Sequence, residues 1–148
     1  LDWGLAKVWH KDAKLRELEM SQEKLSSPLN FTLTNAALKA SPLYMSPEQV
    51  NDEPNLDFKT DIYSLGTILY EILTLENMIE GDKVYKLMDN IKNGRFKTPT
   101  ERTPHRNIPV KLEEICLKSV ECDPQNRYQE MSVLINDIRE FREENLNT

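Results

Sequence analysis

The residues of this chain best suited to chemistry are carboxylates, hydroxyls and one arginine, set in short segments of fixed order. Asp2-Trp3-Gly4 opens the sequence, Ser46-Pro47-Glu48 follows a polar stretch, and Asp61-Ile62-Tyr63-Ser64-Leu65-Gly66 opens a long apolar run. Carboxylates take hard cations or pair with guanidinium groups, and Thr or Ser hydroxyls can carry phosphate. Each segment alone also has a plain explanation. Asp2 reads as a solvated carboxylate near a terminus, Gly4 as a loop glycine, Ser41 as a turn former before Pro42, and Asp61 as a helix-start carboxylate favoured by the helix dipole. Glu48 and Arg127 are either two unrelated surface charges or, brought together by folding, a buried bidentate pair.

The elements that must position these groups are helical. From Asp61 to Leu75, apolar residues cover nearly every direction around a 3.6-residue period, which predicts a buried helix at the centre of the core with Thr60 as its N-cap. Val84, Leu87, Met88 and Ile91 form a stripe on a second helix over 83–93, stopped by Gly94. The same pattern after Pro109 (Leu112, Ile115, Cys116, Val120) and after Asp123-Pro124 (Met131, Leu134, Ile135, Ile138, Phe141) predicts two more. Residues 11–24 are charge-rich and read as a weak, solvated helix before a loop over 26–34, and 99–109, with three prolines, reads as an irregular connection.

Composition narrows the classes further. With 148 residues, 39% hydrophobic and 30% charged, the chain suits one globular domain with a core of its own. A net charge of −6 argues against a nucleic-acid partner. No apolar run approaches the length of a membrane span. Cys116 and Cys122 have no Cys or His at metal-ligand spacing and read as reduced thiols, which fits a cytoplasmic location. Leu1 rather than Met precedes the first motif, as in a piece cut from something longer.

Together, the ordered segments resemble the signatures of protein kinases: Asp2-Trp3-Gly4 the metal-binding Asp-Phe-Gly, Ser46-Pro47-Glu48 the Ala-Pro-Glu, and Asp61 to Gly66 the Asp-x-Trp-Ser-x-Gly. Arg127 matches the family arginine that pairs with the glutamate of Ala-Pro-Glu. Residues 40–49, Ala-Ser-Pro-Leu-Tyr-Met-Ser-Pro-Glu-Gln, are similar to the substrate-docking loop of bacterial serine/threonine kinases, Gly-Thr-Pro-x-Tyr-Met-Ser-Pro-Glu-Gln, and Thr32-Leu33-Thr34 to the pair on which such kinases autophosphorylate. The resemblance implies a mainly α fold, the helical portion of a kinase C-lobe without the N-lobe and catalytic loop, divided into an activation segment (1–48) and a helical subdomain (49–148). Residues 5–45 are longer than most activation segments, and 11–24 look like an insertion.

The same resemblance implies roles. Asp2 would bind the magnesium that bridges the ATP phosphates, with Trp3 and Gly4 completing the metal loop and Trp3 departing from the usual Phe. Ser41 would bond the catalytic aspartate and lysine, Thr32 and Thr34 would be phosphorylated, Glu48 and Arg127 would form a structural ion pair, and Asp61 would anchor the catalytic loop. The implied protein transfers the γ-phosphate of ATP to Ser or Thr of protein substrates, using ATP and magnesium. A pseudokinase or scaffold lobe that binds protein partners without catalysis is the alternative.

The sequence also lacks parts. Its glycines, Gly4, Gly66, Gly81 and Gly94, cannot form the Gly-x-Gly-x-x-Gly that covers phosphates. The lysine strand and the His-Arg-Asp loop precede Asp-Phe-Gly in kinases; His10-Lys11-Asp12 and His105-Arg106-Asn107 imitate that loop only locally and follow the metal motif. The fragment alone is expected to be inactive, to hold neither ATP nor magnesium tightly, and to self-associate through surface that the missing N-lobe and its neighbours would cover.

Overall fold

A computed structural model describes residues 42–146. The roles expected of Asp2, Trp3, Gly4, Thr32, Thr34 and Ser41, the 11–24 helix and the loop after it lie outside the described residues.

The first helix, α1 (Pro47–Val50), shows why Ser-Pro-Glu-Gln is a sensible local sequence. Ser46 is its N-cap, accepting from the Gln49 amide, while the Gln49 side chain accepts from the Ser46 amide; Pro47 fills the first helical position, where its missing N–H costs nothing. A 3-10 turn, Pro42–Tyr44, leads into it, with Pro42 buried.

Helix α2 (Phe58–Thr74) is the central rod, and it starts three residues before Asp61. Asp57, not Thr60, is its N-cap, accepting from the Lys59 amide at 2.8 Å. Ile62, Tyr63, Tyr70 and Leu73 of α2 are buried, but Leu65, Ile68 and Ile72 are exposed, Ile72 by 63%, and so is Leu75 just beyond the helix. The expected all-round burial is therefore corrected: the described residues cover one side of the rod and leave an apolar stripe on the other.

Three further helices close the core. Helix α3 (Val84–Lys92) turns Leu87 and Ile91 inward and ends at Asn93. Gly94 follows with a φ of +59°, a left-handed conformation that suits glycine, and a β-carbon there would lie 2.6 Å from Cys122 Sγ. Helix α5 (Val110–Ser119) packs along α2, and α6 (Met131–Leu146) packs on α5. Of the stripe expected on α6, Leu134 is buried, whereas Ile135 and Ile138 remain 40% exposed.

The 99–109 connection is more ordered than its prolines suggested. It contains a short helix, α4 (Pro99–Arg102), with Thr98 and Glu101 forming a capping box. The Thr100 amide and hydroxyl both donate to Glu113 of α5, and Arg102 is ion-paired with Glu76 and Glu80. Two buried groups result: Tyr63, Tyr70, Leu73, Met78, Ile79, Leu87, Ile91, Cys116 and Val120 in one, and Ile62, Ile115, Tyr128 and Leu134 in the other. The described residues contain no strand, and among them no helix is long and apolar enough to cross a membrane.

The α2–α5 crossing depends on Gly66. A β-carbon at Gly66 would fall 2.6 Å from Val120 Cγ1 and 2.7 Å from Ser119 Cβ, below any ordinary contact. Alanine gains up to about 1 kcal/mol of helix propensity over glycine, but forced overpacking costs about 1–3 kcal/mol. Gly66→Ala is therefore expected to be net destabilising, seen as a lower urea midpoint; a raised midpoint would show that the crossing yields.

Candidate functional site

The site grows from one buried arginine. Arg127 follows the 3-10 turn Pro124–Asn126, which Asp123 caps through the Gln125 amide. Its guanidinium is fully buried and directs all five of its N–H donors at acceptors. Nε donates to the Glu121 carbonyl (2.7 Å), one terminal nitrogen to Glu48 Oε1 (2.6 Å) and the Lys59 carbonyl (2.9 Å), and the other to Glu48 Oε2 (2.8 Å) and the Cys122 carbonyl (3.1 Å). The Tyr63 ring lies beneath the guanidinium, 5.0 Å from its centre.

Glu48 enters from α1, 79 residues away in sequence, and is 5% exposed. Its Oε1 also accepts from the Thr60 hydroxyl at 2.9 Å, so the residue expected to cap α2 instead holds the ion pair. Burial pushes the Glu48 carboxyl up, but the hydrogen bonds from Arg127, its own backbone amide and Thr60, with the Arg127 charge, outweigh it and leave the pKa below the usual glutamate value. Burial raises the Tyr63 phenol, whose hydroxyl has no hydrogen-bond partner among the described residues.

The docking-loop segment is tied to α2 a second time, through Tyr44. The Ser64 hydroxyl donates to the Tyr44 carbonyl (2.8 Å), and the Tyr44 phenol donates to the Glu71 carboxylate (3.0 and 3.1 Å). Burial, then the hydrogen bond and charge of Glu71, raises the phenol. Sequence reasoning missed Tyr44, Thr60, Ser64 and Glu71 as anchors. The available signal was a polar series at helical spacing, Thr60, Ser64, Thr67 and Glu71, along one side of a largely apolar helix.

The structure thus brings Glu48 and Arg127 together on the flank of the rod that begins at Phe58. Asp61 lies at the exposed side of the first turn of α2, where partial desolvation alone raises its carboxyl. Among the described residues no three His, Cys, Asp or Glu side chains are grouped to hold a metal ion. Asp2, the one metal ligand the motifs suggested, is not among them.

Residues 1–137 match the family described as the protein kinase domain. The chain belongs to the protein kinase family. It is similar to a serine/threonine-protein kinase, PknD, of Protochlamydia amoebophila, at 33% identity over 97% of this chain and 14% of that protein. It is also similar to the serine/threonine-protein kinase PknB of Mycobacterium leprae, at 29% identity over 88% of this chain and 22% of that protein. The chain therefore spans about one seventh to one fifth of these relatives. The twitchin kinase region of C. elegans shares the fold, with a TM-score of 0.55 at 19% identity, covering 61% of this chain and 15% of that one. The mainly α fold is that of a helical kinase C-lobe segment, and its sequence relatives are bacterial kinases of the eukaryotic-like type.

Within this kinase segment, truncating either partner strands a buried charge. Glu48→Ala and Arg127→Ala are each expected to cost about 3–5 kcal/mol, with the double variant costing clearly less than the sum, measured by urea unfolding in a double-mutant cycle. The pair also makes stability pH-dependent. The folded pKa of Glu48 lies below its unfolded value near about 4.3, so the contribution is complete above that value and is lost as pH falls through the depressed folded value. Unfolding midpoints between pH 7 and pH 3 should drop less in Glu48→Gln than in the wild type.

Proposed function

We propose that this chain is part of a kinase that transfers the γ-phosphate of ATP to serine or threonine hydroxyls of protein substrates. The observation that carries the reading is the docking-loop sequence Pro42–Gln49, held on the buried Glu48–Arg127 pair and on α2. It gains weight from the relatives, which are serine/threonine-protein kinases. On this reading 1–48 is the activation segment and 49–148 the helical subdomain.

The chain's own residues divide the work. Residues 42–49 present a rigid ledge for an extended substrate segment, because their backbone is fixed by the 3-10 turn, the capping box and the ion pair. The Ser41 hydroxyl would bond the catalytic aspartate and lysine, and Asp61 would hold the catalytic loop from the start of α2. Phosphate on Thr32 or Thr34 would add nearly two negative charges each and order the segment against basic residues. Asp2 would supply one carboxylate ligand, which suits a metal held mostly by phosphates and water. When bound, magnesium neutralises charge on the transferred phosphoryl group.

Residues 1–148 contain neither the glycine loop nor the base that phosphoryl transfer uses. The full-length kinase is therefore expected to label protein serine or threonine in a magnesium-dependent way and to carry phosphate on Thr32 or Thr34 by mass spectrometry. Purified 1–148 should show no such transfer. A full-length protein with an intact nucleotide site and no transfer would favour a scaffold lobe, and turnover by 1–148 alone would overturn the division of parts.

The exposed stripe Leu65, Ile68, Ile72 and Leu75 supports a further expectation for the isolated segment. It self-associates, and Ile72→Lys shifts it toward monomer in size-exclusion chromatography; a monomer at high concentration in the unmodified segment would defeat this.

A further inference from the structure

A kinase that acts on serine and threonine carries such hydroxyls itself, and burial sorts those of the described residues. Ser46, Thr60, Thr67, Thr74, Thr103 and Ser119 are buried and closed to a second kinase molecule while folded. Ser64 and Thr98 are half-buried and engaged, Ser64 with the Tyr44 carbonyl and Thr98 as the N-cap of α4. Thr100 and Ser132 are the exposed ones among the described residues.

Their surroundings differ. Ser132 stands in the first turn of α6, where a phosphate meets the positive end of the helix dipole, and its hydroxyl donates to Glu130, two residues before it. Thr100 is joined to another helix. Its amide donates to Glu113 Oε1 at 2.8 Å and its hydroxyl to Oε2 at 2.9 Å, so one residue of α4 holds both oxygens of a carboxylate on α5. The other tie of α4 runs from Arg102 to Glu76 and Glu80, beyond the end of α2, and involves neither Thr100 nor Glu113.

A phosphoryl group on the Thr100 oxygen removes the hydroxyl donor and sets nearly two negative charges against the Glu113 carboxylate. Repulsion then replaces attraction on one side of α4 only. The segment can also be presented to an active site, because α4 is a single turn preceded by the non-helical residues 95–98 and unwinds at little cost.

We propose that Thr100 is a phosphorylation site, modified in trans by a second copy of the kinase, and that its phosphate parts α4 from α5 while Arg102 keeps α4 on the loop after α2. This rests on the reading of the full-length protein as a serine/threonine kinase. In the transfer the Thr100 oxygen bonds the γ-phosphorus of ATP and the bond from that phosphorus to the β–γ bridging oxygen breaks. ADP leaves with the electron pair, and the hydroxyl proton passes to the catalytic base of the acting copy.

The test uses the full-length kinase, wild type and with Thr100→Ala, Thr100→Ser or Glu113→Gln, incubated with magnesium and ATP. Mass spectrometry should find phosphate on residue 100 in the wild type and Thr100→Ser, at a rate per molecule that rises with kinase concentration. Amide hydrogen exchange then compares each protein before and after this treatment. Residues 98–103 should exchange about tenfold faster once Thr100 is phosphorylated, since hydrogen bonds to a charged acceptor are lost, with α2 and α3 unchanged. Thr100→Ala, treated alike, separates this effect from that of phosphate elsewhere and should show no such rise. Glu113→Gln removes the repelling charge and offers amide donors to the phosphate, so most of the rise should disappear. Phosphate on Ser132 or other residues but not on Thr100 overturns the site, and a rate independent of concentration overturns modification in trans. Unchanged exchange on phosphorylation, or the same rise in Glu113→Gln, overturns the parting of α4 from α5. A wild-type protein that transfers phosphate to no residue and no substrate defeats the kinase reading itself, and the site with it.

Discussion

A guanidinium removed from water must find an acceptor for every N–H it carries, and the described fold is organised around meeting that demand at Arg127. Two of its five donors go to Glu48 and three to main-chain carbonyls of Lys59, Glu121 and Cys122. Those acceptors lie on three separate stretches of chain, so the arginine fixes where α1, the start of α2 and the turn after α5 stand relative to one another. A buried ion pair is not in itself a large source of stability, because desolvation offsets much of the attraction. What it provides is uniqueness of arrangement, since any shift of one stretch leaves a charged donor or acceptor unmatched.

Helix α2 carries the complementary constraint. Its two apolar faces are divided by a narrow polar series, and each face has a different fate. Ile62, Tyr63, Tyr70 and Leu73 build the core with α5 and α3, whereas Leu65, Ile68 and Ile72 stay uncovered by the described residues. The polar series between them carries the docking-loop segment. The helix therefore serves as a core rod and as a rail, and Gly66 lets α5 approach closely enough that the rail sits at a fixed height above the core.

Much of this architecture was legible in the sequence. The 3.6-residue periods placed α2, α3, α5 and α6 to within a few residues, because amphipathic spacing reflects which side chains leave water. The Glu48–Arg127 meeting followed from the family motifs, not from the residues alone, since nothing local connects two charges so far apart. The misses have physical causes. Asp57 out-competed Thr60 as a cap because it stands just ahead of the first helical turn, which released the Thr60 hydroxyl for Glu48. Helix α4 was hidden by its prolines, although Thr98-Pro99-Thr100-Glu101 is a complete capping box with proline where it is tolerated. Apolar periodicity cannot say which partner will be present, so the full girdle of α2 read as buried.

The close approach of Gly94 to Cys122 bears on any use of this protein as a labelled reagent. Cys116 is buried, with its thiol pushed up to about 12, and will resist alkylation, which leaves Cys122 as the more accessible attachment point of the two. Yet its sulfur already touches the space that a single methyl on Gly94 would fill. A fluorophore or spin label coupled there has to displace the loop after α3 or tug on the Cys122 carbonyl that Arg127 holds. Such a probe would report on a structure it had itself disturbed, and a cysteine introduced on the open side of α6 would be the quieter choice.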